Sequence, residues 1–180
     1  MLYKINYLDS YNKGYGGNYD RLKIVINKLS HYQKGRLLDI GCGPGYVIGE
    51  LSKIGWDVNG IDSSKGMIKQ AEKYLSNTIN NENVVQLCSA NKLERFDDNS
   101  FDAITMLGVM PYIKDDSEIY TNIFRILKKD GVFIISQQNE LFDLFTFNDY
   151  TVNFFKKHFV SILDEHQIDT SSITESISNF

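Results

Sequence analysis

The stretch from Leu37 to Val47, L-L-D-I-G-C-G-P-G-Y-V, constrains the fold of this 180-residue chain more than any other. Arg36 to Ile40 is a short, mainly apolar run that ends at a glycine, which predicts a buried strand, and Tyr46 to Ile54 has the apolar spacing of a helix. The residues between them form a strand-to-helix turn with three glycines. Because glycine has no Cβ, such a turn bends sharply and lets a ligand approach the backbone closely.

A second apolar run, Trp56 to Ile61, ends at Asp62. Its distance from the glycines matches a strand-helix-strand unit of ~30 residues. A carboxylate at this point can accept hydrogen bonds from both hydroxyls of a ribose. The pattern therefore indicates a nucleotide-type cofactor at the top of a parallel sheet. The alternative is that Asp62 caps the next helix, which opens with Ser63, Ser64 and Lys65; the two roles are compatible.

The glycine spacing distinguishes two classes of cofactor. Dinucleotide sites favour G-x-G-x-x-G, whereas the third glycine here comes one position earlier. Asp39 lies two positions before the first glycine, where its carboxylate would repel a pyrophosphate and attract the ammonium of an amino-acid moiety. Both features count against a nicotinamide-dependent oxidoreductase, which stays an alternative.

The D-I-G-C-G-P-G turn, with V-N-G-I-D downstream, resembles the class I S-adenosylmethionine-dependent methyltransferases. The order of elements matches that family through about residue 137. The resemblance implies an α/β fold: a Rossmann-like, doubly wound parallel sheet of strand order 3-2-1-4-5. It also implies an enzyme that uses S-adenosylmethionine and releases S-adenosylhomocysteine. Residues 36–137 would form the cofactor-binding core, after an N-terminal lid and helix in residues 1–35.

The resemblance also implies a set of cofactor contacts. The glycine turn and Asp39 would surround the methionine portion of the cofactor, Asp62 would bind the ribose, and Ser63 and Met67 would lie beside the adenine. The predicted cofactor-binding residues are Tyr19, Asp39, Gly41, Cys42, Gly43, Gly45, Asp62, Ser63, Met67, Ser89, Ala90, Asn91 and Leu107.

One of these contacts departs from the family pattern. After the predicted third strand, Val84 to Leu87, many members have an acidic residue next to a small one, which contacts the adenine amino group. This chain has Ser89, Ala90 and Asn91 instead. Ser89 or Asn91 could supply the hydrogen bond, but the missing carboxylate also leaves open a non-catalytic module that only binds the cofactor.

The family's later elements are recognisable as well. Phe101 to Met106 resembles the fourth strand, and Leu107 to Tyr112 would line the mouth where the methyl group is presented. Asp115 to Lys129 has helical spacing and is predicted to stop at Asp130-Gly131, because lysines favour a helix C-terminus and glycine commonly follows it. Val132 to Ile135 would be the fifth strand.

The methyl acceptor is bounded by exclusion. Methyltransferases of exocyclic base amines carry Asn/Asp-Pro-Pro-Tyr/Phe after the fourth strand, whereas residues 108–112 here read G-V-M-P-Y. The pattern favours a small-molecule acceptor and transfer to oxygen; a tRNA or protein methyltransferase stays an alternative. The weak candidates for a catalytic base are Tyr112, Gln137, Asn139, Glu140 and His158.

The two ends of the chain carry different expectations. Residues 1–20 hold five tyrosines among glycines and asparagines, which would form a lid over the cofactor or pack on the sheet edge. A helix is predicted from Asp20 to Leu29. Residues 138–180 are rich in aromatics, with a helix predicted over Asn148 to His158, and lack a recognisable final antiparallel hairpin. We therefore expect either a fragment of a longer enzyme or a shortened variant whose exposed sheet edge is covered by a partner, such as another copy.

Composition limits the remaining classes. A net charge of −4 with dispersed lysines argues against a nucleic-acid-binding protein. Cys42 and Cys88 are expected to be reduced, as in a cytoplasmic protein, with Cys42 simply small enough for the turn. The longest apolar runs fall short of the ~20 residues of a membrane span. The three histidines are scattered, so no metal site is predicted.

Overall fold

The computed structural model describes residues 17–79, 83–113 and 117–136. These residues belong to one compact unit, Met1–Gln137, whereas a second unit, Gln138–Phe180, lies outside the described ranges. The helices and strands, in chain order, are α1 (Gly17–Ser30), β1 (Arg36–Ile40), α2 (Tyr46–Lys53), β2 (Asp57–Asp62), α3 (Lys65–Leu75), β3 (Val85–Leu87), β4 (Phe101–Leu107), α4 (Ser117–Ile126) and β5 (Leu127–Ser136).

The five strands form one parallel sheet in the order β3-β2-β1-β4-β5. This confirms the predicted Rossmann-like fold and its strand order. The order reverses between β1 and β4, which leaves a crevice beyond the carboxyl ends of these two strands, the usual ligand position in doubly wound sheets. Asp39 of β1 lies level with Gly60 of β2 and Thr105 of β4, so the last residues of the three central strands meet at this crevice.

Helices cover both faces of the sheet, which explains why the central strands are apolar almost throughout. Leu37 and Leu38 of β1 are both fully buried, but they belong to different clusters. Leu37 packs on one face with apolar residues of α1, α2 and α3, including Leu29. Leu38 packs on the other face with residues of α4, including Ile123. The two clusters pack against opposite faces of the sheet and hold the central strands between them.

The predicted boundary between the last helix and the last strand is wrong. Helix α4 ends at Ile126, and β5 already begins at Leu127, which pairs with Phe101. Lys128 does not lie at a helix C-terminus; its Nζ binds both carboxylate oxygens of Asp102, at 2.9 and 2.8 Å. Gly131 has no positive φ and lies within the strand. Strand pairing and this ion pair therefore outweigh the local preference for a helix over these residues.

The other boundaries move by a few residues at most. The predicted N-terminal helix begins earlier, at Gly17, and the strands that end in the crevice run on to include Asp62 and Leu107. Within the described ranges, no helix combines the length and apolar character needed to cross a bilayer. The part of the predicted tyrosine lid before residue 17, and the predictions for residues 138–180, concern residues outside those ranges. Residues 17–20 of the predicted lid belong to helix α1 instead.

Candidate cofactor-binding site

A cavity of about 750 Å³ opens in the crevice at the carboxyl ends of the strands. This volume is in the usual range for small-molecule and cofactor sites. The structure brings most of the predicted cofactor-binding residues together in its lining: Asp39, Gly41, Cys42, Gly43, Asp62, Ser63, Met67, Ser89, Ala90, Asn91 and Leu107. Residues far apart in the sequence thus share one cavity, although their binding roles stay predictions.

Gly43 and Gly45 of the turn have different structural roles. Gly43 has a φ of +52°, and a Cβ built on it would meet no atom within 4 Å. Since Gly43 also lines the cavity, a side chain there would project into open space that a ligand can occupy. Gly45, predicted to contact the cofactor, does not line the cavity; a Cβ there would lie 3.2 Å from Ala71 and 3.1 Å from Leu75. Gly45 therefore lets α2 approach α3.

The amide groups of the turn are bonded within the protein. The amides of Gly41 and Cys42 both donate to the carbonyl of Ile61, at 2.8 and 2.9 Å. The amide of Gly43 donates to Asp62 Oδ2 at 2.9 Å, and that of Gly45 donates to the carbonyl of Cys42. Pro44 has no N–H. Within residues 41–45, every amide group is therefore engaged inside the protein, and the carboxylates of Asp39 and Asp62 beside the turn would repel a pyrophosphate.

Asp62 holds the turn against the start of α3. Its Oδ2 accepts a hydrogen bond from the Gly43 amide, and its Oδ1 accepts one of 2.8 Å from the Ser64 amide. The N-cap of α3 is Ser64, whose hydroxyl oxygen accepts a hydrogen bond from the Met67 amide. The alternative prediction, that Asp62 caps this helix, is therefore wrong. A carboxylate oxygen can accept more than one hydrogen bond. Asp62 is only half-buried and can still accept bonds from ligand hydroxyls in the cavity.

The Asp62→Ala variant is expected to bind S-adenosylhomocysteine more weakly, by roughly 1.5 to 3 kcal/mol for each charge-assisted hydrogen bond lost. Part of that loss would come from the Gly43 amide, which loses its acceptor. Isothermal titration calorimetry of the wild type and the variant measures the difference. Asp57→Ala is the matched control, because Asp57 is an exposed carboxylate at the opposite end of the same strand. Equal affinities of Asp62→Ala and the wild type would remove Asp62 from the site.

Asp39 is a buried carboxyl group in the wall of the cavity. Only 2% of its surface is exposed, and its Oδ1 accepts a hydrogen bond of 2.7 Å from the hydroxyl of Thr105. Burial raises the pKa of Asp39 from 3.8 to about 7; the Thr105 bond opposes this effect, and the nearby charge of Asp62 adds to it. A cationic ligand in the cavity would favour the ionised form. The site is thus suited to a positively charged group.

The two cysteines lie in the cavity wall, and both are free and buried. Burial, together with the charges of Asp39 and Asp62, raises the pKa of the Cys42 thiol. A reactive cysteine needs a lowered pKa, so Cys42 has the chemistry of a small residue that fits the turn. Across the described ranges, no cluster of three or more His, Cys, Asp or Glu side chains could hold a metal ion.

Helix α1 contributes a residue that the sequence analysis missed. Tyr19 does not line the cavity; its ring lies beneath Lys23 Nζ, at 4.5 Å. Arg21 lines the cavity instead. Positions two apart on a helix face different directions, whereas Arg21 is one turn before Val25 on the buried side. The apolar spacing of this helix was the signal that could have indicated Arg21.

The mouth of the cavity lies beyond β4. Leu107, Val109 and Ile113 supply apolar lining, and Tyr112 adds an aromatic ring that is 81% exposed. Among the predicted catalytic candidates, Tyr112 is the one that the structure describes, and it does line the cavity. The other candidates, Gln137, Asn139, Glu140 and His158, lie outside the described ranges.

Comparison with known proteins identifies the family. A family model described as a methyltransferase domain matches residues 38–135, which is more than half of the chain and includes the glycine turn. The chain belongs to this methyltransferase family. The predicted class I S-adenosylmethionine-dependent methyltransferase family is therefore confirmed, and with it S-adenosylmethionine as the cofactor of the family.

Individual relatives support the assignment to the methyltransferase family. A ubiquinone biosynthesis O-methyltransferase of Rickettsia typhi is 29% identical over 126 residues, which cover 68% of this chain and 50% of the relative. The methyltransferase chain thus spans about half the length of the curated relatives it matches. The YcgJ protein of Bacillus subtilis is 27% identical, with a TM-score of 0.59 over 65% of this chain and 50% of its own. An S-adenosylmethionine-dependent methyltransferase of Mesorhizobium loti, at 20% identity, shares the fold with a TM-score of 0.56 over 68% and 53% of the two chains.

Proposed function

We propose that this chain is an S-adenosylmethionine-dependent methyltransferase that methylates an oxygen atom of a small molecule. One observation carries the proposal. Two carboxylates, Asp39 and Asp62, line a cavity around a glycine turn whose amides are already bonded within the protein. Such a site favours a nucleoside that bears positive charge over a nucleotide that bears phosphate.

The residues of the cavity fit this cofactor. S-adenosylmethionine carries a sulfonium, an ammonium, a carboxylate, a ribose diol and an adenine. Asp39 would face the positively charged amino-acid portion, and Asp62 would accept the ribose hydroxyls. Gly43 keeps the space beside the turn open, because a Cβ there would meet nothing within 4 Å. Ser89 and Asn91 supply polar side chains where the family's usual adenine-binding carboxylate is missing.

When bound, the cofactor supplies a methyl group that is already activated on a sulfonium. The chain's own residues therefore mainly hold and align the reactants, which can lower a barrier by about 7 to 11 kcal/mol in well-ordered systems. Asp39 and Asp62 lie at the carboxyl ends of two paired interior strands, β1 and β2, and form one side of the cavity. Leu107, Val109 and Ile113 give the mouth of the cavity an apolar lining.

Three observations support a small acceptor and transfer to oxygen. The residues after β4 lack the Asn/Asp of base-amine methyltransferases, and the mouth they form is apolar with one aromatic ring, Tyr112. In addition, the Rickettsia typhi relative is an O-methyltransferase by name. A hydroxyl acceptor benefits from a base more than an amine does, and Tyr112 is the described candidate for contacting it. A cytoplasmic location, the lack of a nucleic-acid partner and a second copy covering the sheet edge remain predictions.

Ligand-dependent thermal unfolding tests the cofactor class. S-adenosylhomocysteine at 100 times its dissociation constant adds about 2.7 kcal/mol of stability, which should raise the midpoint by roughly 5 to 10 °C for a chain of this size. NADH at the same concentration is the control and should leave the midpoint unchanged. A shift with NADH alone would contradict the proposal.

The acceptor class needs a second measurement. Small phenols and their matched anilines are incubated with S-adenosylmethionine, and the formation of methylated product and S-adenosylhomocysteine is followed by mass spectrometry. Methylation of the hydroxyl compounds but not the amines is expected. Binding of S-adenosylhomocysteine without turnover of any acceptor, in the longest available form of the protein, would instead favour a module that only binds the cofactor.

A further inference from the structure

The end of the cavity beyond β3 is lined without charge. Three charged side chains occur among the described residues of the lining: Arg21, Asp39 and Asp62. None of them belongs to the segment after β3, residues 88–91, which contributes the neutral polar side chains of Ser89 and Asn91. We infer that this end holds a purine without selecting its 6-amino group. The site would then also bind S-inosylhomocysteine, in which a 6-oxo group replaces the 6-amino group of S-adenosylhomocysteine. This inference rests on the proposed function.

The strand order of the sheet indicates which end of the cavity holds the purine. The proposed contacts place the amino-acid portion of the cofactor at Asp39 of β1 and the ribose at Asp62 of β2. Strand β3 is the next strand outward, and its Leu87 lies level with Asp62. A nucleoside laid across these strand ends therefore continues from the ribose to residues 88–91, which directly follow β3 and line the cavity.

The two purines present opposite hydrogen-bonding groups at position 6. The 6-amino group of adenine donates a hydrogen bond, whereas a 6-oxo group accepts one. An ionised carboxylate only accepts, so it binds the amino group and disfavours the oxo group. A hydroxyl and a carboxamide each donate and accept, and neither carries a net charge. The side chains of Ser89 and Asn91 can therefore pair with either purine.

The turn after β3 positions the hydroxyl of Ser89 to donate. Ser89 Oγ accepts a hydrogen bond of 3.3 Å from the Asn91 amide, and the Ser89 carbonyl accepts one of 3.0 Å from the Lys92 amide. These two bonds hold the segment in a compact turn. Because a hydroxyl oxygen that accepts a bond still carries its own proton, Ser89 can donate that proton to a ligand in the cavity.

Two carboxylates lie close to this end of the cavity, and neither replaces the neutral groups. Asp62 already accepts bonds from the amides of Gly43 and Ser64, and its remaining capacity is assigned to the ribose. Glu118 of α4 lines a separate cavity of about 80 Å³, which shares Asn91 with the main cavity. Since Glu118 does not line the main cavity, a variant that removes its charge serves as a check.

Isothermal titration calorimetry of S-adenosylhomocysteine and S-inosylhomocysteine tests the inference. The quantity compared is the ratio of the two dissociation constants, because a general change in binding cancels in it. Ser89→Asp and Asn91→Asp each place a carboxylate at the purine end, and Asn91→Asp does so with almost no change of shape. Ser76→Asp is the control, since Ser76 is exposed and does not line the cavity. Glu118→Gln is measured as well, and thermal unfolding verifies that each variant is folded.

Wild type is expected to bind the two ligands within about fivefold of each other, since one neutral hydrogen bond is exchanged for another. At least one of Ser89→Asp and Asn91→Asp should favour S-adenosylhomocysteine by about 10- to 100-fold, as for a charge-assisted bond that only one ligand can make. Ser76→Asp and Glu118→Gln should keep the wild-type ratio.

Two results would overturn the inference and leave the proposed function intact. If wild type binds S-inosylhomocysteine more than about tenfold more weakly, the purine end selects the amino group. Loss of that selection in Glu118→Gln would then assign it to Glu118. If neither Ser89→Asp nor Asn91→Asp changes the ratio, these side chains do not face position 6 of the purine. If wild type binds neither ligand, the proposed function fails and the inference with it.

Discussion

The Asp39→Asn variant is expected to be more stable than the wild type at pH 8, with the difference growing by about 2 to 3 kcal/mol between pH 5 and pH 8. The reason is the burial of a carboxyl group whose pKa is 3.8 when unperturbed and about 7 in the folded chain. Urea-induced unfolding of both proteins at several pH values measures the difference.

The sign follows from proton binding. Between pH 4 and pH 7, the folded wild type keeps the Asp39 proton that the unfolded chain has lost, so the contribution of Asp39 to stability falls as the pH rises. Asparagine does not titrate, and its amide oxygen can still accept the bond from Thr105. Asp62 and the Cys42 thiol also lie near Asp39, but they are present in both proteins and largely cancel in the comparison.

Asp57→Asn is the control for this comparison, because it makes the same substitution at an exposed carboxylate outside the cavity lining. A stability difference between Asp39→Asn and the wild type that does not change with pH would contradict the raised pKa of Asp39. The gain in stability should come with a loss of function, because the variant lacks the negative charge for a cationic ligand. Wild-type affinity for S-adenosylhomocysteine should rise from pH 5.5 to pH 7.5, and this rise should be missing in Asp39→Asn.

The Gly43→Val variant is expected to lose measurable affinity for S-adenosylhomocysteine while keeping its fold. The valine side chain would enter open space beside the turn, where the ligand would lie. A non-glycine residue at a φ of +52° also strains the backbone, at a cost of roughly 1 to 2 kcal/mol. Calorimetry measures the affinity, and thermal unfolding measures the strain.

Gly55→Val separates strain from obstruction. Gly55 has a φ of +96°, is exposed and does not line the cavity, so its replacement strains the backbone without blocking the ligand. Both variants should unfold at lower temperature than the wild type, but only Gly43→Val should fail to bind. If Gly43→Val binds as tightly as Gly55→Val, the turn does not contact the ligand.

The elements that the sequence predicted best are those whose local pattern and tertiary role agree. The run Arg36 to Ile40 is apolar because β1 is covered on both faces, and the strand has the predicted bounds. The predicted end of α4 was wrong because the contacts that place residues 127 and 128 in a strand are distant in sequence. Leu127 pairs with Phe101, and Lys128 binds Asp102. Local helix signals cannot report such contacts.

The same distinction applies to the site. Asp39 and Asp62 were predictable as cavity residues because each lies near the carboxyl end of a recognisable strand: Asp39 is two positions before the first glycine, and Asp62 ends β2. Arg21 was not, because its place in the cavity depends on how α1 packs on the sheet and on the space left by Gly108, 87 positions later in the numbering of the chain. Nor could residue types reveal the raised pKa of Asp39, since it depends on burial in the folded chain, which outweighs the opposing hydrogen bond from Thr105.

The hydrogen bonds within the glycine turn have a consequence for discrimination among ligands. Phosphorylated adenine nucleotides share the adenine and the ribose with S-adenosylmethionine. With its amides committed to Ile61, Asp62 and Cys42, the turn would gain nothing from a phosphate and would confront it with two carboxylates. Discrimination against phosphorylated nucleotides would thus be built into the turn and its two neighbouring carboxylates before any ligand arrives.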